Sequence, residues 1–289
     1  MRIYKAYNLL IASELHFPEL IEAEGIPDVT IIFSKDNSAD EIQHNGGNNC
    51  RGKIPGVGEF LIQEGQKITI FPAPNTEEDL LRITILGTAM CMLLRQRGLL
   101  VIHASCIRIK DKAVAFMGGS GWGKSTIALT FHTKGYNVLT DDVLPIEVTD
   151  DSVMVYPAYS QFKLFPQALT SLEQDTEGLS KVSQKSHKLT YKFTKGFQQD
   201  SLQLNTIYVL RKGNKHEITN IKSRDAFLEL VQHTRAMNIM TNDNSMTNHM
   251  QLCSKLIKQV KFSYFTRKPA LEDLPKLVQM IVDDLSEDI

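Results

Sequence analysis

A glycine-rich stretch followed by a lysine and two hydroxyl residues carries the clearest chemistry in this sequence. Residues 118–126 read GGSGWGKST, which satisfies the pattern G-x-x-x-x-G-K-[ST]. In this pattern the glycines let backbone N–H groups turn toward phosphate oxygens, Lys124 reaches the β- and γ-phosphates, and the Ser125 hydroxyl binds Mg²⁺. The stretch therefore predicts a site for ATP and Mg²⁺. Its predicted nucleotide-binding residues are Gly118, Gly119, Ser120, Gly121, Trp122, Gly123, Lys124, Ser125 and Thr126.

Two adjacent aspartates follow the next apolar strand. Asp141 and Asp142 end the run VLTDD, where a carboxylate beside a glycine loop usually binds the metal. Neighbouring strand residues point to opposite faces, so one carboxylate would bind Mg²⁺ while the other faces an attacking hydroxyl. The alternative is that the pair only forms a turn or caps a helix.

Other residues with relevant chemistry are less specific. His103, in the apolar run VIHAS, is typical of a buried core histidine, but it would lie near the phosphates if its strand pairs beside the loop strand. Residues 181–195 are rich in lysine and contain no acidic residue. Lys185 and Lys188 in this segment are candidate contacts for a phosphate or a substrate carboxylate, and a solvated loop is the alternative.

The elements around these residues predict an α/β protein with a β-rich N-terminal part. Runs at 29–33, 59–63 and 67–71 indicate strands, and the polar residues 34–58 indicate a loop. A helix should follow from Asn75 or Thr76 to Leu94, and then the strands LLVIHASCIRI and AVAFMGG lead into the glycine loop. Further helices are expected near 224–238, 245–259 and 271–285. We expect a β-rich region over 1–75 and a catalytic domain over 76–289.

Composition excludes several classes of protein. The chain has 289 residues, with 32 basic against 33 acidic side chains, which argues against a dedicated nucleic-acid binder. Its four cysteines form no CxxC or Cys/His cluster, so neither a disulfide framework nor a zinc site is indicated. The N-terminus lacks the features of a signal peptide, and no apolar run reaches the length of a membrane span. We therefore expect a cytoplasmic protein with no membrane partner.

The segment from His103 to Val143 resembles the catalytic domain of HPr kinase/phosphorylase. The resemblance lies in a histidine 15 residues before the first loop glycine, the loop itself, and a strand that ends in Thr140-Asp141-Asp142. Further runs, YNLLIASELHFPEL, PDVTI, RGLLVIHAS and YPAYSQFKLFPQAL, are similar to the HPr-kinase-like serine kinases that act on lasso-peptide precursors. The long signature segment RGLGIIN of the HPr kinase/phosphorylases does not occur after Asp142.

The resemblance implies a P-loop core of the HPr kinase C-terminal-domain type, a mixed β-sheet flanked by helices. It also implies a serine kinase whose partner is a precursor peptide or protein with an acceptor serine, at the C-terminus in lasso precursors. By position, Lys124 and the loop amides would bind phosphate, and Ser125 and Asp142 would bind Mg²⁺. Asp141 would accept the serine proton, and His103 would orient or polarise the site. Whether the protein forms a homo-oligomer is left open.

Three alternatives stay open beside a peptide or protein kinase. One is an ATP-binding regulatory or accessory protein with little kinase activity, against which the intact lysine, serine and aspartates argue. Another is a small-molecule kinase, which the sequence does not separate from the first choice. A transporter or motor ATPase is the third, but the chain has no LSGGQ-like signature and no apolar strand ending in Asp-Glu.

Overall fold

The computed structural model describes residues 1–34, 49–184, 186–236 and 243–286. Its strands are β1 (Arg2–Ala6), β2 (Leu9–Ser13), β3 (Ile21–Glu22), β4 (Val29–Phe33), β5 (Asn49–Ile54), β6 (Gly58–Gln63), β7 (Lys67–Pro72), β8 (Leu100–Ile102), β9 (Ala104–Ile109), β10 (Lys112–Met117), β11 (Val138–Thr140), β12 (Leu144–Val148), β13 (Val153–Val155), β14 (Gln161–Leu164), β15 (Leu189–Lys192), β16 (Leu202–Lys212), β17 (Glu217–Asn220) and β18 (Lys261–Arg267). The α-helices are α1 (Glu78–Thr84), α2 (Met90–Gln96), α3 (Lys124–Thr133), α4 (Pro166–Thr170), α5 (Ser223–His233), α6 (Asp243–Gln259) and α7 (Leu274–Ser286).

The N-terminal part is a seven-stranded sheet in the order β3-β1-β2-β4-β7-β6-β5. The predicted strands at 29–33, 59–63 and 67–71 are confirmed. The β1–β2 hairpin was not predicted; it turns at Tyr7 and Asn8, whose φ angles of 59° and 61° suit a tight two-residue turn. The loop predicted over 34–58 is partly wrong because β5 pairs with β6 along its whole length. Residues 35–48 of that loop lie outside the described residues.

The predicted helix after the N-terminal sheet is present but is not uniform. It runs as α1, a π-helical turn at Ile85–Ala89, and α2. The Tyr7 hydroxyl donates a hydrogen bond to the Leu86 carbonyl at 2.9 Å within the π-helical turn. The helix buries its apolar side chains in one core with the N-terminal sheet, and Val143, Ala158 and Tyr159 belong to the same core. The helix thus joins the sheet to the segment that carries the aspartates.

The second sheet is mixed and is organised around the eleven-residue strand β16. β16 pairs in parallel with β10 and β18, and antiparallel with β13. Beyond β10 the order continues to β9 and β11, and beyond β13 it continues to β12 and β8. Helices α5 and α6 pack on one face of this sheet, and α3 and α7 pack on the other. The predicted fold class, a mixed sheet flanked by helices with a β-rich N-terminal part, is confirmed.

Strand direction gathers the sequence motifs at one edge of this sheet. β9 is antiparallel to both β10 and β11, so the C-terminal ends of β10 and β11 meet the N-terminal end of β9. Met117 is paired with Ala104, and Thr140 is paired with Cys106. The glycine loop, the aspartates and His103 therefore emerge side by side.

The run LLVIHASCIRI, predicted as a single strand, is two strands. β8 pairs with β12 and β9 pairs with β10 and β11, and the chain changes partners at His103. The His103 backbone N–H donates instead to the carbonyl of His233 at 2.9 Å. Periodicity alone does not reveal this break, because both halves are equally apolar and buried.

The predicted C-terminal helices are confirmed as α5, α6 and α7, with end points that differ by a few residues. The division at residue 75 stays a prediction. No helix in the described part of the chain is long and apolar enough to cross a membrane.

Candidate functional site

The glycine loop joins β10 to α3 in the conformation that its glycines allow. Gly118, Gly121 and Gly123 have φ angles of 150°, 73° and 88°, in the region that favours glycine. Gly123 precedes the first residue of α3, so the positive end of that helix faces the loop. A Cβ built on Gly121 would meet no atom within 4 Å, which leaves its backbone open to the cavity. These are the features that bind phosphate at a helix N-terminus.

Lys124 lies folded over the loop. Its Nζ donates to the carbonyls of Gly118 and Gly119 at 2.8 and 3.2 Å, and the residue is 6% exposed. Burial lowers the pKa of Lys124 to about 8, against the opposing effect of the two aspartates. The ammonium group is thus held by weak carbonyl acceptors, which a phosphate oxygen replaces with a stronger charge-assisted bond.

Arg267, at the end of β18, supports the loop and does not line the cavity. Its Nη2 donates to the Trp122 carbonyl at 2.6 Å, and Nη1 donates to the Lys268 carbonyl at 3.3 Å. The residue is 7% exposed, and its buried Nε has no hydrogen-bond partner among the described residues. Burial lowers the pKa of Arg267. A buried guanidinium therefore fixes the direction of one loop carbonyl.

The predicted nucleotide-binding residues divide into two groups. Six of them line a cavity of about 230 Å³: Ser120, Gly121, Gly123, Lys124, Ser125 and Thr126. Gly118, Gly119 and Trp122 do not line it. The Trp122 indole lies against the backbone of Gly119: a Cβ added to that glycine would be 2.9 Å from Trp122 Cε2. Trp122 thus packs against the loop itself.

Asp141 is buried beside the loop serine. Its Oδ1 accepts a hydrogen bond from the Ser105 hydroxyl at 2.5 Å, and its Oδ2 accepts one from the Lys163 N–H at 3.3 Å. Burial raises the pKa of Asp141, while the hydroxyls of Ser105 and Ser125 oppose that rise. Of the two aspartates, Asp141 is the one whose pKa the Ser125 hydroxyl lowers.

Asp142 points into a separate cluster. Its Oδ1 lies 3.2 Å from His103 Nε2 and accepts a hydrogen bond from Arg235, and its Oδ2 lies 3.0 Å from Lys163 Nζ. Burial alone would raise the pKa of Asp142, but Lys163, Arg235 and His103 together hold that pKa well below its usual range. The φ angle of Asp142 is 86°, a conformation that costs on the order of 1 kcal/mol outside glycine.

His103 belongs to the site as well as to the sheet. It lines the cavity at the strand break, which supports the second of its two sequence interpretations. Burial, together with the nearby charges of Arg235 and Lys124, lowers the pKa of His103 to about 3. The imidazole is therefore neutral near pH 7 and has one N–H to donate.

A further wall of the cavity comes from β14 and from the residues next to the paired ends of β14 and β15. Lys163 and Phe165 lie there, and Lys188 places its Nζ 5.4 Å from the centre of the Phe165 ring. The predicted substrate contact Lys188 thus lies at the cavity. Lys185, its companion prediction, lies outside the described residues.

The donors present fit a magnesium ion that is shared with phosphate. Ser125, Asp141 and Asp142 offer hard oxygen atoms around one cavity. The described residues contain no group of three His, Cys, Asp or Glu side chains that would hold a metal alone. Mg²⁺ commonly uses one or two carboxylates and takes its other ligands from phosphate and water. The residue set matches that mode of binding.

Sequence reasoning missed four residues that shape this site. Ser105 reaches Asp141, Lys163 and Arg235 reach Asp142, and Arg267 reaches the loop. Ser105 carried a usable signal, since it lies two residues after His103 on the same strand. Lys163, on β14, lies within the run YPAYSQFKLFPQAL, but nothing in that run marks the lysine itself. Arg235, just after α5, and Arg267, on β18, lie in no motif.

Comparison with known proteins finds similarity to solved structures and no match in sequence. No family model matches the chain, and no curated protein matches it. The chain is similar to the solved structure of the HPr(Ser) kinase/phosphatase from Coxiella burnetii, with 13% sequence identity and a TM-score of 0.36. That similarity covers 65% of this chain and 91% of the other.

Proposed function

We propose that this protein is an ATP- and Mg²⁺-dependent serine kinase that transfers the γ-phosphoryl group to a serine hydroxyl of a peptide or protein. One observation carries the proposal: a glycine loop with its lysine and serine faces two aspartates across a single cavity. Phosphoryl transfer depends mainly on positioning and charge stabilisation, and this cavity offers both.

In the proposed reaction, the loop amides and Lys124 bind the triphosphate, and a carboxylate accepts the proton of the serine hydroxyl. The bond between phosphorus and the β–γ bridging oxygen breaks, a bond from phosphorus to the serine oxygen forms, and ADP leaves. Bound Mg²⁺ would neutralise charge on the phosphates. Ser125 and the adjacent carboxylates would hold that ion.

The division of roles between the aspartates is the finer part of the proposal. The resemblance assigns Asp142 to the metal and Asp141 to the proton, and the raised pKa of Asp141 supports that assignment. The effect of the Ser125 hydroxyl on the pKa of Asp141 and the contact between Asp142 and His103 support the reverse. We propose the reverse division, since a shared ion requires Ser125 and its carboxylate to be neighbours, and His103 can orient a hydroxyl beside Asp142.

The acceptor that we propose is a precursor peptide with a serine at its C-terminus, as the sequence resemblance implies. Four cationic side chains around the cavity suit an acceptor with a negative charge: Lys124, Lys163, Lys188 and Arg235. A small-molecule alcohol would meet the same charges, so the acceptor class is the part that experiment must decide. An ATP-binding accessory protein is the second candidate, favoured by the Lys124 contacts with its own loop.

The test is mass spectrometry of a serine-terminated peptide after incubation with Mg·ATP and the protein, with HPr as a parallel substrate. Asp141→Asn and Asp142→Asn are the parallel variants, and Asp150→Asn is the matched control because its side chain is 82% exposed. We expect one phosphoryl group on the peptide with the wild type and with the control. Both site variants should lose transfer by at least about a hundredfold.

Mg²⁺ titration separates the two roles. The variant at the metal-binding carboxylate should need more Mg²⁺ for nucleotide binding, and the other variant should bind Mg·ATP normally without transferring it. Phosphorylation of HPr but not of the peptide would show that HPr, and not the peptide, is the acceptor. ATP binding without transfer to any acceptor would support the accessory protein instead.

A further inference from the structure

The β14–β15 pair stands beside the glycine loop and contributes charge to the cavity. The two strands pair from Gln161 with Lys192 to Leu164 with Leu189, so Phe165 and Lys188 form the next position at the end of the pair. Along β14, Phe162 and Leu164 are buried in the core, and the alternating residues Lys163 and Phe165 face the cavity. Lys163 is held by Asp142.

Lys188 has a different environment from Lys163. Its Nζ lies over the Phe165 ring, and within the described ranges no carboxylate lies at ion-pair distance from it. A cation–π contact at a partly exposed site contributes on the order of 0.5–1 kcal/mol. A charge-assisted bond to a phosphate oxygen is stronger, so an anion in the cavity would draw the ammonium group from the ring.

The charges around the cavity favour such an anion. Two carboxylates, Asp141 and Asp142, face four cations: Lys124, Lys163, Lys188 and Arg235. Lys163 and Arg235 are committed to Asp142, whereas Lys124 and Lys188 approach from opposite walls and repel each other. An anion bound between them removes that repulsion.

We propose that Lys188 is a catalytic residue that leaves the Phe165 ring and binds the phosphoryl group while it is transferred. This inference rests on the proposed function. In the transfer, the bond to the leaving ADP oxygen breaks and the bond to the serine oxygen forms, while negative charge spreads over the equatorial oxygens. Lys124 would contact that charge from the loop side and Lys188 from the β14–β15 side. No proton moves to or from Lys188.

The first experiment measures binding, without an acceptor. Trp122 is the only tryptophan of the chain and lies on the loop, so its fluorescence reports nucleotide binding. Affinities for Mg·ADP, and for Mg·ADP with aluminium fluoride as a mimic of the transferred group, are compared in the wild type, Lys188→Met and Lys188→Arg. Lys181→Met is the matched control, an exposed lysine of the same segment that does not line the cavity.

We expect Lys188→Met to bind Mg·ADP within about threefold of the wild type and to lose at least about tenfold in affinity for the fluoride complex. Lys188→Arg should recover most of that loss because it restores the positive charge. If Lys188→Met lost affinity for both ligands equally, Lys188 would be an ordinary nucleotide contact and the proposal would be overturned. An unchanged affinity of Lys188→Met for the fluoride complex would also overturn it, as would a wild-type protein that does not bind Mg·ADP.

The second experiment measures transfer in single turnovers, with the acceptor concentration varied. Lys188→Met should slow the maximal rate by about a hundredfold with little change in the acceptor KM. A rise in the acceptor KM at an unchanged maximal rate would make Lys188 an acceptor contact and would contradict the proposal. If the wild type binds the fluoride complex but phosphorylates no acceptor, the proposed function fails, whereas the binding comparison still decides the role of Lys188.

Discussion

Arg267 Nη2 lies 2.6 Å from the carbonyl oxygen of Trp122, and that bond ties the last strand of the sheet to the middle of the glycine loop. The loop amides are directed inward only if the loop carbonyls are directed elsewhere, and this carbonyl is held by a buried cation. β18 thereby holds the predicted nucleotide-binding loop in place, although none of its residues lines the cavity.

The first prediction concerns Arg267 itself. Arg267→Gln should lower Mg·ATP affinity by about tenfold, because a hydrogen bond from a charged donor contributes about 1.5–3 kcal/mol. Arg267→Lys should lose less Mg·ATP affinity than Arg267→Gln, since lysine keeps the positive charge. Trp122 fluorescence gives the affinity, and Arg224→Gln is the control because that side chain is 88% exposed. An unchanged affinity in a folded Arg267→Gln protein would show that the loop holds its shape alone.

The second prediction compares two glycines with similar backbone angles. Gly123 and Gly178 have φ angles of 88° and 74°, but a Cβ on Gly123 would lie 2.1 Å from Arg267 Nη2, whereas one on Gly178 would meet nothing within 4 Å. Gly123→Ala should therefore displace the Arg267 guanidinium and lower Mg·ATP affinity by at least about tenfold. Gly178→Ala should cost only on the order of 1 kcal/mol of stability, with normal binding. Similar behaviour of the two variants would assign the whole effect to backbone strain.

The third prediction concerns the ion pair of Lys163 with Asp142. Lys163→Met leaves the buried carboxylate with one cation fewer, so the free energy of unfolding should fall by about 1–3 kcal/mol. Adding Asp142→Asn should restore part of that loss, because the uncompensated charge is then removed. Urea unfolding of the wild type, both single variants and the double variant measures the coupling. Strict additivity would mean that the two side chains do not interact in solution.

The fourth prediction uses His249 on α6. It is 1% exposed, and its Nε2 lies 3.5 Å from Cys253 Sγ. Burial, with a smaller effect from Arg95, lowers the pKa of His249 to about 4 from an ordinary value of 6.5. The unfolded chain therefore takes up a proton between pH 6.5 and 4 while the folded chain does not, and stability falls as pH falls.

Urea unfolding at pH 7 and pH 5 tests this. Between pH 7 and pH 5, the free energy of unfolding of the wild type should fall by about 1–2 kcal/mol more than that of His249→Gln. The comparison cancels the contributions of His103 and His132, whose pKa values are also lowered and which both proteins share. An identical pH dependence in the two proteins would contradict the prediction.

The loop residues and the aspartates that sequence analysis identified lie on one continuous strand–loop–helix–strand unit, whereas His103 and Lys188 lie outside it. Gly118, Lys124 and Asp141 are near one another in the chain, and their spacing reflects the geometry that brings them together. The β-rich start and the C-terminal helices were also predictable, because apolar periodicity and helix signals mark them locally.

What could not be predicted depends on long-range pairing. Lys163 and Arg235 are ordinary lysine and arginine residues in sequence, and only the packing of β14 and of the end of α5 brings both to Asp142. The break at His103 arises because β8 and β9 have different partners, although the sequence is uniformly apolar there. β5 exists because β6 offers an edge with which it pairs, and its own sequence NCRGKI favours a strand weakly.

The left-handed backbone at Asp142 has a consequence for how this chain can evolve. Glycine at that position would relieve the backbone strain, but it would leave the cations Lys163 and Arg235 without their carboxylate, so the two effects on stability oppose each other. Stability alone therefore does not decide which residue stands at this position. A library of substitutions at this codon, screened first for thermal resistance and then for phosphoryl transfer, would separate what the residue does for the fold from what it does for the site.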